Sequence, residues 1–146
     1  MIQAKRYHDI CCGHRVVGHE GKCKNLHGHN YRIHFTVESL RGWAGDQLDS
    51  VGRVLDFSVI KSHLCDWLEQ EWDHRMLLWE NDPHLKSLKA IDKSIVIVPF
   101  NPTAENIAQH LVTVIGPQRL ADTGAMLTRV EIEETSKCSA IYEVSR

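Results

Sequence analysis

The sequence predicts an α+β domain built on a mostly antiparallel sheet, and three stretches carry that expectation. From Tyr31 onward, Ile33, Phe35 and Val37 alternate with Arg32, His34, Thr36 and Glu38, the period of a strand with one buried face. Ile60, Leu64, Trp67 and Leu68 recur at helical spacing, with Trp72 one turn beyond Leu68. Thr128, Val130, Ile132 and Glu134 share one strand face while Arg129, Glu131 and Glu133 share the other, and Ala140 to Val144 can return beside them as a hairpin.

In chain order, Ile2 to Ile10 reads as a first strand, followed by an irregular stretch rich in Gly13, Gly18, Gly21 and Gly28. The strand from Tyr31 continues the parity of His27 and His29, so those histidines extend a core-facing stripe. Gly42 to Gly52 reads as a turn region. Val54-Leu55-Asp56-Phe57 then ends a short strand, and Asp56 or Ser58 can cap a helix running to about Trp72. Asp73 to Leu88 reads mostly as loop, with Asn81-Asp82-Pro83 its strongest turn signal. Ile95-Val96-Ile97-Val98 is a short buried strand. A second helix starts after Asn101-Pro102 with Thr103 as its cap, carries Ile107, Leu111, Val114 and Ile115, and stops at Gly116-Pro117. No repeat, low-complexity tract or linker divides the chain, so residues 1–146 are expected to form one domain of order β-β-(β)-α-β-α-β-β.

Composition narrows the function. Apolar residues make up 42% and charged residues 25% of the 146, the balance of a folded globular chain. A formal charge of -2 argues against a general nucleic-acid binder, so an anionic ligand must meet a local basic patch. Met1-Ile2-Gln3-Ala4-Lys5-Arg6 lacks the apolar core of a signal peptide, and no apolar run is long enough to span a membrane; the expectation is a cytoplasmic protein. Five cysteines fit a reducing compartment better than a disulfide framework.

The chemistry concentrates at His14, Cys23, His27 and His29. His27 and His29 leave one face of an extended segment and can grip a single ion, while Gly28 lets the backbone come close. His34 is out of register with that pair; His14 is the natural third ligand, although spacing alone does not exclude His8 or His19. Three imidazoles and an exchangeable water make the pattern of a catalytic zinc site. Set against this, a histidine-rich tract can also arise by chance or collect metal loosely. Cys23 can be a fourth ligand, a base or nucleophile activated by the metal and by Arg15, Lys22 and Lys24, or a small buried hydrophobe. Glu134 falls on the apolar face of its strand and needs either a core cation or the N–H groups of a ligand. Asp73-His74 is either a proton-shuttling couple or a helix C-terminal histidine held by the helix dipole.

Taken together, these pieces are similar to a known family. Gly13-His14-Arg15, the run Gly18 to His29, Leu55-Asp56-Phe57, Asp73-His74, Pro102-Thr103-Ala104-Glu105-Asn106 and Glu134-Thr135 with Tyr142 resemble the 6-pyruvoyl-tetrahydropterin synthase superfamily over nearly the whole chain. The Cys-x3-His-x-His spacing from Cys23 to His29 is most similar to the bacterial 6-carboxytetrahydropterin synthase branch of queuosine and 7-deazaguanine biosynthesis. The resemblance implies a tunnelling fold: an antiparallel four-stranded sheet with two helices on one face, assembling as a homo-oligomeric barrel with active sites between subunits. It also implies His14, His27 and His29 as Zn2+ ligands, Cys23 as base, Asp73 with His74 as its relay, and Glu134 as the pterin anchor with Thr135 and Thr103 nearby.

The implied reaction turns 7,8-dihydroneopterin triphosphate into 6-carboxy-5,6,7,8-tetrahydropterin with loss of acetaldehyde and triphosphate. Arg15, Lys22 and Lys24 are candidates for the triphosphate site by charge and proximity alone. Two departures stand out: Ile10-Cys11-Cys12-Gly13 replaces the family's aromatic and small residues before His14, and the loop from Arg75 to Asp92 is long. Two other readings remain, a pyruvoyl-tetrahydropterin synthase acting on the same substrate and a non-catalytic zinc or pterin binder.

Overall fold

The structure, a computed structural model, describes residues 1–42 and 46–145; the turn region expected at Gly42 to Gly52 therefore lies partly outside the described residues, at Trp43, Ala44 and Gly45. Two long strands form its centre. β1 (Gln3–His14) and β2 (His27–Ser39) pair antiparallel in a register that opposes His14 to His27, Cys12 to His29 and Ile10 to Tyr31. Opposed residues share a face, so this single register brings the end of β1 and the start of β2 together on one side of the sheet. Both strands extend further toward the histidines than the sequence pattern suggests, because Gly13 and Gly28 sit opposite each other on the other face. A Cβ on Gly28 would lie 3.2 Å from the Cys12 carbonyl oxygen, a tight contact that glycine relieves.

β3 (Arg75–Trp79) and β4 (Val96–Val98) follow, then β5 (Ala125–Glu133) and β6 (Ser139–Glu143), giving one six-stranded sheet of order β4-β3-β1-β2-β5-β6. β1, β2, β5 and β6 pair antiparallel, as expected for four strands. The expectation of a purely antiparallel four-stranded sheet is corrected by β3, which runs parallel to β1, and by β4, which runs parallel to β3. The Asp73 to Leu88 stretch, read as loop, and the long loop expected from Arg75 to Asp92 instead hold β3 and a helix over Leu85–Ile91.

Among the described residues three helices and a short 3-10 turn, Lys22–Lys24, complete the fold, the helices being α1 (57–71), α2 (Leu85–Ile91) and α3 (104–120). Asp56 caps α1 by accepting the Ser58 amide, and Leu64 and Leu68 are buried on its inner face. Val54 and Leu55 are buried without forming the expected strand; the Val54 carbonyl is taken by Arg41 instead of a sheet partner. Thr103 caps α3 through the Asn106 amide, as the sequence suggests.

α3 does not stop at Gly116-Pro117 but continues to Leu120. Its middle turn, Leu111–Ile115, is widened so that the Gly116 amide donates to Leu111, five residues back, and this wide turn accommodates a ring that would collide with a regular α-helix. A Cβ on Gly116 would lie 2.8 Å from Leu127 Cβ, so the helix reaches β5 only because residue 116 is glycine.

Ile33, Phe35, Val130 and Ile132 from the sheet form one buried core with Ile60, Leu64, Leu68, Ile107 and Leu111 from α1 and α3. The opposite sheet face carries Tyr7, Asp9, Cys11 and Arg32, with Arg32 paired to Asp9 and its guanidinium 4.2 Å over the Tyr7 ring. Among the described residues, no helix is long and apolar enough to cross a membrane.

Candidate active site

At the end of the β1–β2 ladder His14, His27 and His29 converge, each offering one ring nitrogen within 4.8 Å of the others. His14 is 1% exposed, and the other two are half-buried. His14 Nδ1 lies 2.6 Å from the Pro102 carbonyl and His27 Nδ1 lies 2.7 Å from the Asn25 carbonyl. A carbonyl oxygen only accepts, so both rings carry their proton on Nδ1 and turn a bare Nε2 toward each other at 3.0 Å. Two facing lone pairs repel unless a cation or a shared proton lies between them. Burial pushes the His14 pKa down, which opposes the proton and favours a metal.

His29 completes the fit. Its Nε2 is buried, has no hydrogen bond among the described residues and lies 3.4 Å from Glu134 Oε1. Burial also lowers the His29 pKa, with the Glu134 charge opposing and His27 adding. Three imidazole nitrogens around one point, two of them bare because their second nitrogen is committed to a carbonyl, form a donor set suited to zinc and its neighbours. Tyr31, which has the parity of His27 and His29, stands edge-on to both His14 and His29, and its hydroxyl lies 3.2 Å from His14 Nδ1. Burial, with the charges of Glu134, Cys12 and Cys23 adding, pushes the Tyr31 phenol up, so it stays neutral.

Cys23 sits in the 3-10 turn Lys22–Lys24, and its carbonyl takes the Val16 amide, which ties this turn back to the segment leaving His14. Lys22 and Lys24 flank it and are exposed. Arg15 is engaged elsewhere: its Nε lies 2.7 Å from Oδ2 of Asp82, whose side chain is 0% exposed, a close ion pair whose angle is poor for a hydrogen bond. Asp82 gave no sequence signal beyond its place in a turn.

The remaining candidates divide between two sides of the sheet. Glu134 faces the histidines, and the loop behind it is closed by the Glu134 and Thr135 amides on the Cys138 carbonyl. The Thr135 hydroxyl accepts the Lys137 and Cys138 amides and the Thr103 hydroxyl accepts the Asn106 amide, leaving each one proton to donate.

Asp73 and His74 border an open groove of about 840 Å³ with Asp9, Cys11, Asn30 and Thr135. The adjacent pair does interact: His74 Nδ1 lies 2.7 Å from Asp73 Oδ2, and Asp73 Oδ1 accepts the Cys11 amide. This contact needs an unusual backbone, since His74 has φ 58 and its amide donates to the Cys11 carbonyl at 2.6 Å. Partial burial works against ionisation of Asp73, but the Cys11 amide and the His74 ring outweigh it and hold the carboxyl below its usual range. The ring of His74 is 77% exposed, and among the described residues no hydrogen bond joins it to Cys23.

A sheet of this topology, backed by two long helices, ends in three converging imidazoles that could hold a metal ion, which defines the chain as an α+β domain with a candidate metal centre. Residues 3–145 match the family model of 6-pyruvoyl tetrahydropterin synthase. The 6-carboxy-5,6,7,8-tetrahydropterin synthase of Rickettsia typhi is 35% identical over 140 residues, which cover 94% of this chain and 97% of the relative. Its namesake from Synechocystis sp. is 40% identical over 134 residues, covering 88% and 83%. Among solved structures, an uncharacterised protein of Wolinella succinogenes has a TM-score of 0.83 at 23% identity, covering 99% of this chain and 98% of its own. The 6-pyruvoyl tetrahydropterin synthase of Caenorhabditis elegans has a TM-score of 0.68 at 24% identity, covering 99% and 96%. At these identities the structural likeness speaks for the fold alone. The chain belongs to the 6-pyruvoyl tetrahydropterin synthase family and is an enzyme of it.

Proposed function

We propose that this chain is a zinc-dependent lyase that converts 7,8-dihydroneopterin triphosphate to 6-carboxy-5,6,7,8-tetrahydropterin, releasing acetaldehyde and triphosphate, in the cytoplasmic route to queuosine and other 7-deazaguanines. The observation that carries the reading is the histidine cluster with two ring tautomers fixed by carbonyls, in a chain whose relatives bear the carboxytetrahydropterin synthase name. His14, His27 and His29 would hold the metal through their inward nitrogens. When bound, zinc supplies Lewis acidity toward the side-chain hydroxyls of the substrate.

The protein's own groups divide the remaining work. Glu134 accepts hydrogen bonds from the N–H groups of the pterin ring beside His29, with Thr103 and Thr135 each able to donate one more. Cys23, as thiolate, removes the C–H proton next to the substrate's hydroxyls, and His74, oriented by Asp73, exchanges that proton through its outward Nε2. Lys22 and Lys24 receive the triphosphate more readily than Arg15, whose charge is balanced by Asp82. The exposed His74 in an open groove supports a homo-oligomer in which the Asp73–His74 pair of one subunit serves the Cys23 of another.

The test is acetaldehyde release from 7,8-dihydroneopterin triphosphate by the zinc-loaded protein and by Cys23→Ala. Wild type should release it; the variant should keep its zinc and lose turnover by at least about a hundredfold, in line with removal of a general base. Equal release by both would remove Cys23 from the mechanism.

A further inference from the structure

The segment that leaves His14 is clasped by one side chain that the proposed chemistry does not use. The Asn101 carboxamide makes two hydrogen bonds to a single residue of that segment: the Val17 amide donates to Asn101 Oδ1 at 3.0 Å, and Asn101 Nδ2 donates to the Val17 carbonyl at 2.9 Å. This is the paired hydrogen bonding of a strand ladder, made by a side chain across 84 positions of sequence. The next residue, Pro102, supplies the carbonyl that accepts His14 Nδ1–H.

Asn101 is itself fixed from behind. Its carbonyl accepts the Thr103 amide at 2.7 Å and the Asn106 side-chain amide at 2.9 Å, so the first turn of α3 anchors it. Proline at 102 fixes one of its own two backbone angles and narrows those of Asn101. The carbonyl that sets the His14 tautomer is thus held between the helix on one side and the Val17 clasp on the other. The same segment passes the restraint on, because the Val16 amide binds the Cys23 carbonyl at 2.8 Å.

We infer that Asn101 is a positioning residue: through Pro102 it aims His14, and through Val17 and Val16 it places the Cys23 turn beside the histidine cluster. This rests on reading the cluster as a zinc site. A side chain that only braces a loop would lower stability without selectively weakening metal binding. One that orients a ligand through a second partner changes metal affinity by about 10- to 100-fold when removed.

The experiment is zinc affinity by competition with a chromophoric chelator, run on wild type, Asn101→Ala and Gly116→Ala, together with the melting temperature of each apo protein. Gly116→Ala is the stability control, since it strains the α3–β5 contact away from the cluster. Asn101→Ala should lose at least about tenfold in affinity, and the visible bands of its cobalt-substituted form should move, while Gly116→Ala keeps both. A loss below that threshold, or an equal loss in Gly116→Ala, overturns the inference. Should Asn101→Ala fail to fold, Asn101→Asp, which sets a carboxylate oxygen against the Val17 carbonyl in place of the donor, is held to the same threshold. A wild type that binds no zinc overturns the metal reading and the inference with it; a zinc-binding wild type with undiminished Asn101→Ala overturns the inference alone.

Discussion

His14 is the most restrained side chain of the cluster, with Pro102 and Tyr31 at one nitrogen and His27 at the other. His27, His29, Tyr31 and Glu134 are legible in the sequence because strand parity alone assigns their face. Asn101 and Asp82 are not, since their partners are fixed by how distant loops meet; any polar residue in a turn looks the same before folding. A further half-buried residue, His110, lies between Trp72, stacked at 6.4 Å, and Phe100 at 4.9 Å. Burial pushes its pKa down, as it does for His14 and His29. The unfolded chain therefore takes up protons below about pH 6.5 that the folded protein refuses, so stability is full above that pH and falls as the pH drops. The melting temperature of the metal-free protein should decline between about pH 7.5 and 5.5, and His110→Phe, which keeps the ring stack, should flatten the decline. An unchanged slope in that variant would show that His110 is not one of the groups responsible.

Each long helix passes through a widened turn at its middle, Lys61–Cys65 in α1 and Leu111–Ile115 in α3. In α3 this turn precedes Pro117 and sets Gly116 against Leu127. Gly116→Ala should destabilise the protein by about 1–3 kcal/mol in denaturant unfolding, the usual cost of forcing an atom into a packed contact, despite alanine's better helix propensity. A neutral or stabilising result would mean that the helix and β5 separate freely. Glycine before proline reads as a stop in the sequence, and only the five-residue-back hydrogen bond reveals the continuation. β3 escaped the sequence for a related reason: five residues directly after Asp73-His74 are too few to show alternation, and their pairing with β1 is parallel and remote in sequence.

Over the whole molecule, the antiparallel core of β1, β2, β5 and β6, the two long helices, the His27–His29 face and the short strand β4 are legible in the sequence, whereas β3 and the parallel pairing at that edge are not. The sheet separates two sets of chemistry: the histidines and Glu134 on the core-facing side, and Asp73–His74 beside the open groove on the other. If neighbouring subunits bring these sets together, Cys23→Ala and His74→Ala should each be inactive alone. Mixed after subunit exchange they should recover about a quarter of wild-type activity, because half the sites regain each group independently. No recovery would place both groups in one subunit's site. The most direct measurement is the mass spectrum of the pterin formed when the zinc-loaded protein meets 7,8-dihydroneopterin triphosphate. 6-Carboxytetrahydropterin, formed with acetaldehyde, is the expected product; a 6-pyruvoyl product or unchanged substrate would contradict the assignment.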